Sequence, residues 1–315
     1  MKHCCVIGGT GFIGSHVVSL LKSKKRAITV VGRNPEPSRN LPDGVRYIAG
    51  NYGEKKIMSE ALRGVDEVIH LAYSSVPKTS YEDPIQDILD NLPETVGLFE
   101  FAINSGIKKL VMVSTGGAVY GKVNKVPIRE NHPTSPISPY GISKLASENY
   151  ATMYNELKGL PVVCVRPGNA YGEGQKPFTG QGFVATAIVS TLREEEIIVF
   201  GEKGTIRDYV HVDDVASGII CALENGKPGS IYNIGSGVGR NNMDILDAIY
   251  PFARSAGLTP RVNILPFRPF DVPVNVLDST KIIIETGWKS EVSFEQGIER
   301  TWNWFYSNYK NKINV

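Results

Sequence analysis

The stretch His3-Cys4-Cys5-Val6-Ile7-Gly8-Gly9-Thr10-Gly11-Phe12-Ile13-Gly14 restricts the fold more than any other. Its first residues form a short apolar run, the pattern of a buried parallel strand. A glycine-rich turn follows. Phe12, Val17, Val18, Leu20 and Leu21 then recur with a helical period. Strand, glycine turn and helix in that order make a dinucleotide-binding unit. Gly8 permits the tight turn, Gly11 lets backbone approach a pyrophosphate, and Gly14 lets the helix pack close to the strand. The helix N-terminus offers N–H groups and the positive end of its dipole to phosphates. The expectation is an α/β chain with a Rossmann-like, doubly wound parallel sheet.

Further strands are readable at 27–31, 45–48, 67–72 and 110–113, with helices at 54–63 and 84–105. At 315 residues the chain can bury a large core, and 42% hydrophobic with 21% charged residues suits a soluble globule. A net charge of +2 argues for neither nucleic acid nor a membrane surface as partner. No apolar run approaches ~20 residues. Cys4, Cys5, Cys164 and Cys221 lack disulfide or metal-ligand spacing, so free thiols in a cytoplasmic protein without a bound metal are expected. An acid after the second strand binds the ribose 2′-OH in NAD proteins. Here Gly32 and then Arg33 stand there, and arginine can pair with a 2′-phosphate. That leans towards NADP, although Arg33 stacked on adenine would serve either cofactor.

Tyr140-Gly141-Ile142-Ser143-Lys144 puts a phenol and an ammonium on one helical face, with Pro139 suited to the helix start. A cation near the phenol should pull its pKa down from ~10. Such a tyrosine can take a proton from a sugar hydroxyl as hydride leaves the same carbon. Ser114 and Thr115, after the fifth strand, are placed to bind a substrate oxygen. His70, inside an apolar strand, reads as a packed histidine.

Four ordered motifs then resemble the extended short-chain dehydrogenase/reductases, specifically nucleotide-sugar epimerases similar to UDP-glucose 4-epimerase. They are Gly8–Gly14, Ser138–Lys144, Arg166-Pro167-Gly168-Asn169-Ala170-Tyr171-Gly172, and Arg207-Asp208-Tyr209-Val210-His211-Val212-Asp213-Asp214. The resemblance makes Tyr140 the base, Lys144 its pKa tuner and ribose ligand, and Asn91 an orienter of the nicotinamide side. It also implies cofactor contacts from Gly8, Gly11, Phe12, Ile13, Gly14, Arg33, Asn34, Asn51, Tyr52, Leu71, Ala72, Val113 and Pro167, with NAD as the family's cofactor. Arg207 and Arg268 would grip a UDP diphosphate, and Asn169 would contact phosphate or sugar. Asp271 belongs to the same substrate segment, and Asn275 would limit sugar size. The epimerase hydroxyl beside the tyrosine falls on Gly116, so Thr115 or Ser114 must replace it. Asn51 stands where an aspartate is usual.

The implied organisation is a dinucleotide-binding domain over residues 1–170, with a returning strand near 230–235, and a smaller α/β nucleotide-sugar domain over 171–315. Expected helices there are 180–193, 212–224, 241–256 and 294–306, with a strand at 197–200. A homodimer would pair through helices 82–105 and 140–157. The implied reaction is 4-epimerisation of a UDP-hexose or UDP-N-acetylhexosamine through a transient 4-keto sugar. A keto-sugar reductase needs the same tyrosine and lysine. A dehydratase would carry an acid pair where Gly117 and Ala118 stand, and a non-catalytic dinucleotide sensor would not need Tyr140, Lys144 and Arg207 together.

Overall fold

The computed structural model describes residues 1–268 and 271–313, with side chains through Asn308. The first half runs β1 (His3–Ile7), α1 (Phe12–Ser23), β2 (Ala27–Gly32), β3 (Arg46–Ala49), α2 (Lys55–Ala61), β4 (Glu67–His70), α3 (Pro77–Glu82), α4 (Pro84–Asn104), β5 (Lys109–Val113), α5 (Pro139–Lys158) and β6 (Val162–Pro167). Then come β7 (Asn169–Tyr171), α6 (Phe183–Leu192), β8 (Glu196–Phe200), β9 (Ile206–His211), α7 (Val212–Asn225), β10 (Ile231–Ile234) and β11 (Gly239–Arg240). The chain closes with α8 (Asn242–Ser255), β12 (Arg261–Leu265), β13 (Val274–Asn275), α9 (Thr280–Thr286) and α10 (Phe294–Ile313).

The main sheet is parallel, in the order β10-β6-β5-β4-β1-β2-β3. The order reverses beside β1, and ligands of such sheets bind in the crevice at that switch point. Strand alternation explains why both faces are covered. Cys4 and Val6 point to one side, against Val17 and Leu21 of α1 and Val215 and Ile219 of α7. Cys5 and Ile7 point to the other, against Met58 of α2, Phe99 of α4 and Tyr154 of α5. A separate core joins α6, α8 and α10 to Tyr209 of β9. The chain beyond residue 170 therefore serves both bodies, because α7, α9 and β10 pack with the main sheet.

Local chemistry sets the element ends. Leu71 and Ala72 were expected to extend the fourth strand, but both N–H groups turn onto the Ile7 carbonyl at 2.9 and 3.1 Å and end it at His70. The helix expected from Gly180 begins at Phe183, because Gly180 and Gly182 both adopt φ of +82°. Ser138 caps α5 by accepting from Gly141 N at 3.1 Å, and left-handed Gly159 ends it.

Candidate active site

Glycines shape the crevice at the carboxyl end of β1. Gly8 takes φ of +84°, and a Cβ on Gly14 would sit 2.2 Å from the Gly8 carbonyl, so only glycine lets α1 approach this closely. Gly11 caps α1 without a side-chain hydrogen bond, which leaves the helix N–H groups to a ligand. The adjoining cavity, about 250 Å³, is lined by Gly8, Gly11, Arg33, Asn34, Tyr52, Leu71, Ala72 and Asn91 among the expected residues. Phe12, Ile13, Gly14, Asn51, Val113, Pro167 and the two further expected cofactor contacts, Tyr140 and Lys144, do not line it. They lie in the first turns of α1 and α5, at strand ends and in the loop after β3: Asn51 holds Glu94, and Pro167 accepts from Gly116 N at 2.8 Å. A pyrophosphate fits this cradle of glycine backbone and uncapped helix N-terminus. A second cavity, about 370 Å³, lies around Arg240 and Phe294 and touches neither the glycine turn nor Tyr140.

Asn91 is fully engaged. It accepts from Ser74 N at 2.9 Å and donates to Ser74 Oγ at 2.9 Å and to the Asp87 carbonyl at 2.7 Å. It thereby fixes the loop after β4 at the cavity wall. At the end of β2, a side chain on Gly32 would meet the Tyr47 hydroxyl at 2.7 Å. That hydroxyl donates to the Asn34 carbonyl at 2.7 Å. The space an acid would need is thus occupied, and Arg33 is exposed beside it.

Tyr140 and Lys144 start α5 on one face, but their charges do not meet as expected. Burial pushes the Tyr140 phenol up to about 12, not down, and the Thr115 side chain opposes that by hydrogen-bonding to it. Lys144 Nζ donates to the Val113 carbonyl at 2.9 Å and lies 6.0 Å from the Tyr140 ring centroid. Burial lowers Lys144 to about 7, against the pull of Glu148 and Asp87. Desolvation is the largest cause for both groups.

Of the two candidate hydroxyls, Thr115 faces Tyr140 and Ser114 does not. Ser114 is buried and donates to Glu148. Gly116 cannot carry the missing hydroxyl, since its Cβ would meet Leu277 at 2.5 Å. Asn275 is a further correction. It is fully buried and donates to the Gly116 carbonyl at 2.9 Å, so it braces this turn from behind instead of standing at an open pocket wall. Asn169 closes the other side, its Oδ1 within 3.5 Å of where a Gly117 side chain would begin.

Burial lowers Arg207, and the nearby Arg268 charge adds to that. Asp271 is taken up by Arg268, through Nε–Oδ2 at 2.8 Å and Nη2–Oδ1 at 3.0 Å. Two guanidinium groups around one carboxylate leave an excess of positive charge suited to a diphosphate.

Sequence reading missed the buried network behind the site. Arg166 and Glu148 pair at 2.5 Å, 3% and 1% exposed. Arg166 also donates to Tyr120 at 2.9 Å, and Tyr120 to Asn233 at 2.8 Å. The signal was available: Arg166 is a charge inside an apolar strand, and Glu148 lies one turn beyond Lys144. His70 is packed as expected, 3% exposed with its ring 5.0 Å from Tyr52.

A family model for the NAD dependent epimerase/dehydratase family matches residues 4–235. The UDP-glucose 4-epimerase of Mycolicibacterium smegmatis is 32% identical over 309 residues, covering 95% of this chain and 97% of that one. The Thermus thermophilus UDP-glucose 4-epimerase, solved with NAD, superimposes with a TM-score of 0.89 at 35% identity, covering 97% and 99% of the two chains. The Thermotoga maritima enzyme, solved with UDP-glucose, gives 0.91 at 33% identity, covering 98% and 100%. Among the described residues, no helix is long and apolar enough to cross a membrane.

Proposed function

Because the chain belongs to the NAD-dependent epimerase/dehydratase family, we propose that it is a nucleotide-sugar 4-epimerase acting on UDP-glucose and UDP-galactose. What carries this reading is Tyr140 and Lys144 on one face at the start of α5, with Thr115 acting on the phenol, beside the glycine cradle at the switch point of the sheet. Gly8, Gly11 and the α1 N-terminus would hold the dinucleotide pyrophosphate, and Lys144 its ribose. NAD, when bound, supplies reversible hydride exchange at the sugar C4. Tyr140 removes the C4 hydroxyl proton, relayed across Thr115, and returns it after the sugar has presented its other face. Arg207 and Arg268 keep the UDP anchored during that rotation, since release would lose the keto sugar. Arg33 lines the cavity and, as a guanidinium with no carboxylate at Gly32, would pair with a 2′-phosphate, so NADP would be tolerated beside NAD.

The exposed Ile85, Ile88 and Leu89 form one stripe on α4, and Tyr150 and Leu157 are exposed on the adjoining α5. This apolar face supports a homodimer through the two helices, which light scattering would measure.

Purified protein should interconvert the two UDP-hexoses with no net change in reduced-nicotinamide absorbance. Tyr140→Phe should retain cofactor and lose ~10²–10⁴-fold in kcat. Stoichiometric consumption of NAD(P)H with a keto sugar and no epimer exchange would assign a reductase instead. Turnover of Tyr140→Phe near wild type would remove Tyr140 from the mechanism.

A further inference from the structure

Tyr73 follows β4 and lines the glycine-turn cavity. Its ring meets that of Tyr140 edge to face, with centroids 5.1 Å apart and planes at 83°. The same ring carries the Lys144 ammonium 3.9 Å from its centroid, much nearer than the 6.0 Å to the Tyr140 ring. One side chain thus touches both members of the pair. An aromatic face attracts a cation through its quadrupole, and more strongly where water is excluded. Lys144 is 6% exposed.

The other groups acting on Lys144 come from three elements. Asp87 of α4 and Glu148 of α5 favour its charge. His70 of β4 is held neutral, pushed down to about 3 by burial and by the Lys144 charge. Asp87 is also bound by Ser143, at 2.6 Å, and by Ser75, and Glu148 is paired to Arg166. Both carboxylates are therefore shared with other donors, and the close contacts to the ammonium are the Val113 carbonyl of β5, at 2.9 Å, and the Tyr73 face.

We propose that Tyr73 is a positioning residue of the Tyr140–Lys144 pair: its ring face holds the Lys144 ammonium while its contact with Tyr140 orients the phenol. The inference rests on the reading of that pair as the acid–base couple. It assigns the effect to the aromatic ring and not to the Tyr73 hydroxyl.

The test compares Tyr73→Phe, Tyr73→Leu and Tyr73→pentafluorophenylalanine in the full chain with its bound nicotinamide. The last variant keeps the ring's shape and reverses its quadrupole, so it separates charge recognition from packing. For each, kcat and KM for UDP-hexose interconversion are measured against pH, and Lys144 is titrated by NMR of isotope-labelled lysine. Tyr73→Phe should match wild type. The other two should lose roughly 3- to 30-fold in kcat with little change in KM, and Lys144 should titrate at lower pH. An unmoved Lys144 midpoint in the fluorinated variant, or a Tyr73→Phe variant as impaired as Tyr73→Leu, overturns the proposal. If wild type itself does not interconvert the sugars, the epimerase reading fails, and the Lys144 midpoints still decide for or against Tyr73.

Discussion

Replacing Glu148 by Gln should be among the most damaging single changes outside the crevice. The carboxylate and the Arg166 guanidinium are 1% and 3% exposed, and the pair is bidentate, with Nη2–Oε2 at 2.5 Å and Nε–Oε1 at 3.0 Å. Ser114 also donates to this carboxylate. Glu148→Gln keeps the shape but leaves Arg166 charged with only the Tyr120 oxygen and an amide for company. Breaking a buried pair from one side costs about 3–5 kcal/mol, because the surviving charge has no water. In a chain of this size that corresponds to roughly 5–8 °C in the thermal midpoint. Calorimetry or circular dichroism measures it. Adding Arg166→Met should recover much of the loss, since the stranded charge is then gone and an apolar replacement of such a pair is often near neutral. A single variant melting within about 2 °C of wild type refutes the reasoning. So does a double variant that melts lower than the single one.

Three further outcomes follow from the same geometry. Thr115→Val should lower kcat by at least about tenfold with a small change in thermal midpoint, whereas Ser114→Ala should cost about 1.5–3 kcal/mol of stability with kcat much less affected; steady-state kinetics and melting curves distinguish them. Lys144, lowered to about 7 from 10.5, carries its full burial cost below about pH 7, where both folded and unfolded chains bind the proton; the cost falls as pH rises towards the unfolded value. Lys144→Met should therefore raise the thermal midpoint more at about pH 6 than at about pH 10, and an equal change at both would contradict the assignment. Arg33→Ala should weaken NADP binding roughly tenfold and NAD binding much less, read by titration calorimetry; equal losses would mean stacking on adenine.

What the sequence disclosed well was local. The glycine turn that starts at Gly8 and the helix α1 after it are set by backbone sterics within a dozen residues, and the structure follows them. The β2–β1–β4–β5 core of the sheet comes from apolar runs that need no distant partner to be read. The extra helix α3 escaped notice because six residues from Pro77 to Glu82 give too little periodicity. The dependence of the larger body on α7, β10 and α9 is a matter of tertiary packing, which no single stretch records.

The site was legible in its residue types and less so in its contacts. Consecutive residues in extended chain point to opposite faces, so Ser114 and Thr115 could not both reach Tyr140. Which one did depended on the phase of β5 and on Glu148, a residue thirty-four positions away that takes Ser114. The Tyr140–Lys144 spacing fixed two Cβ atoms on one helical face but left four rotatable carbons of lysine undecided. In the fold those carbons lead to the Val113 carbonyl and the Tyr73 ring. The pair is therefore held as a neutral phenol and a weakened ammonium, a state that costs stability in the folded chain. A purely structural role would give no reason to retain it, because Met or Leu at 144 would fill the same buried space without desolvating a charge. The proposed role of Lys144 accounts for that cost, and its relief in Lys144→Met would be the thermodynamic mark of a residue placed for chemistry.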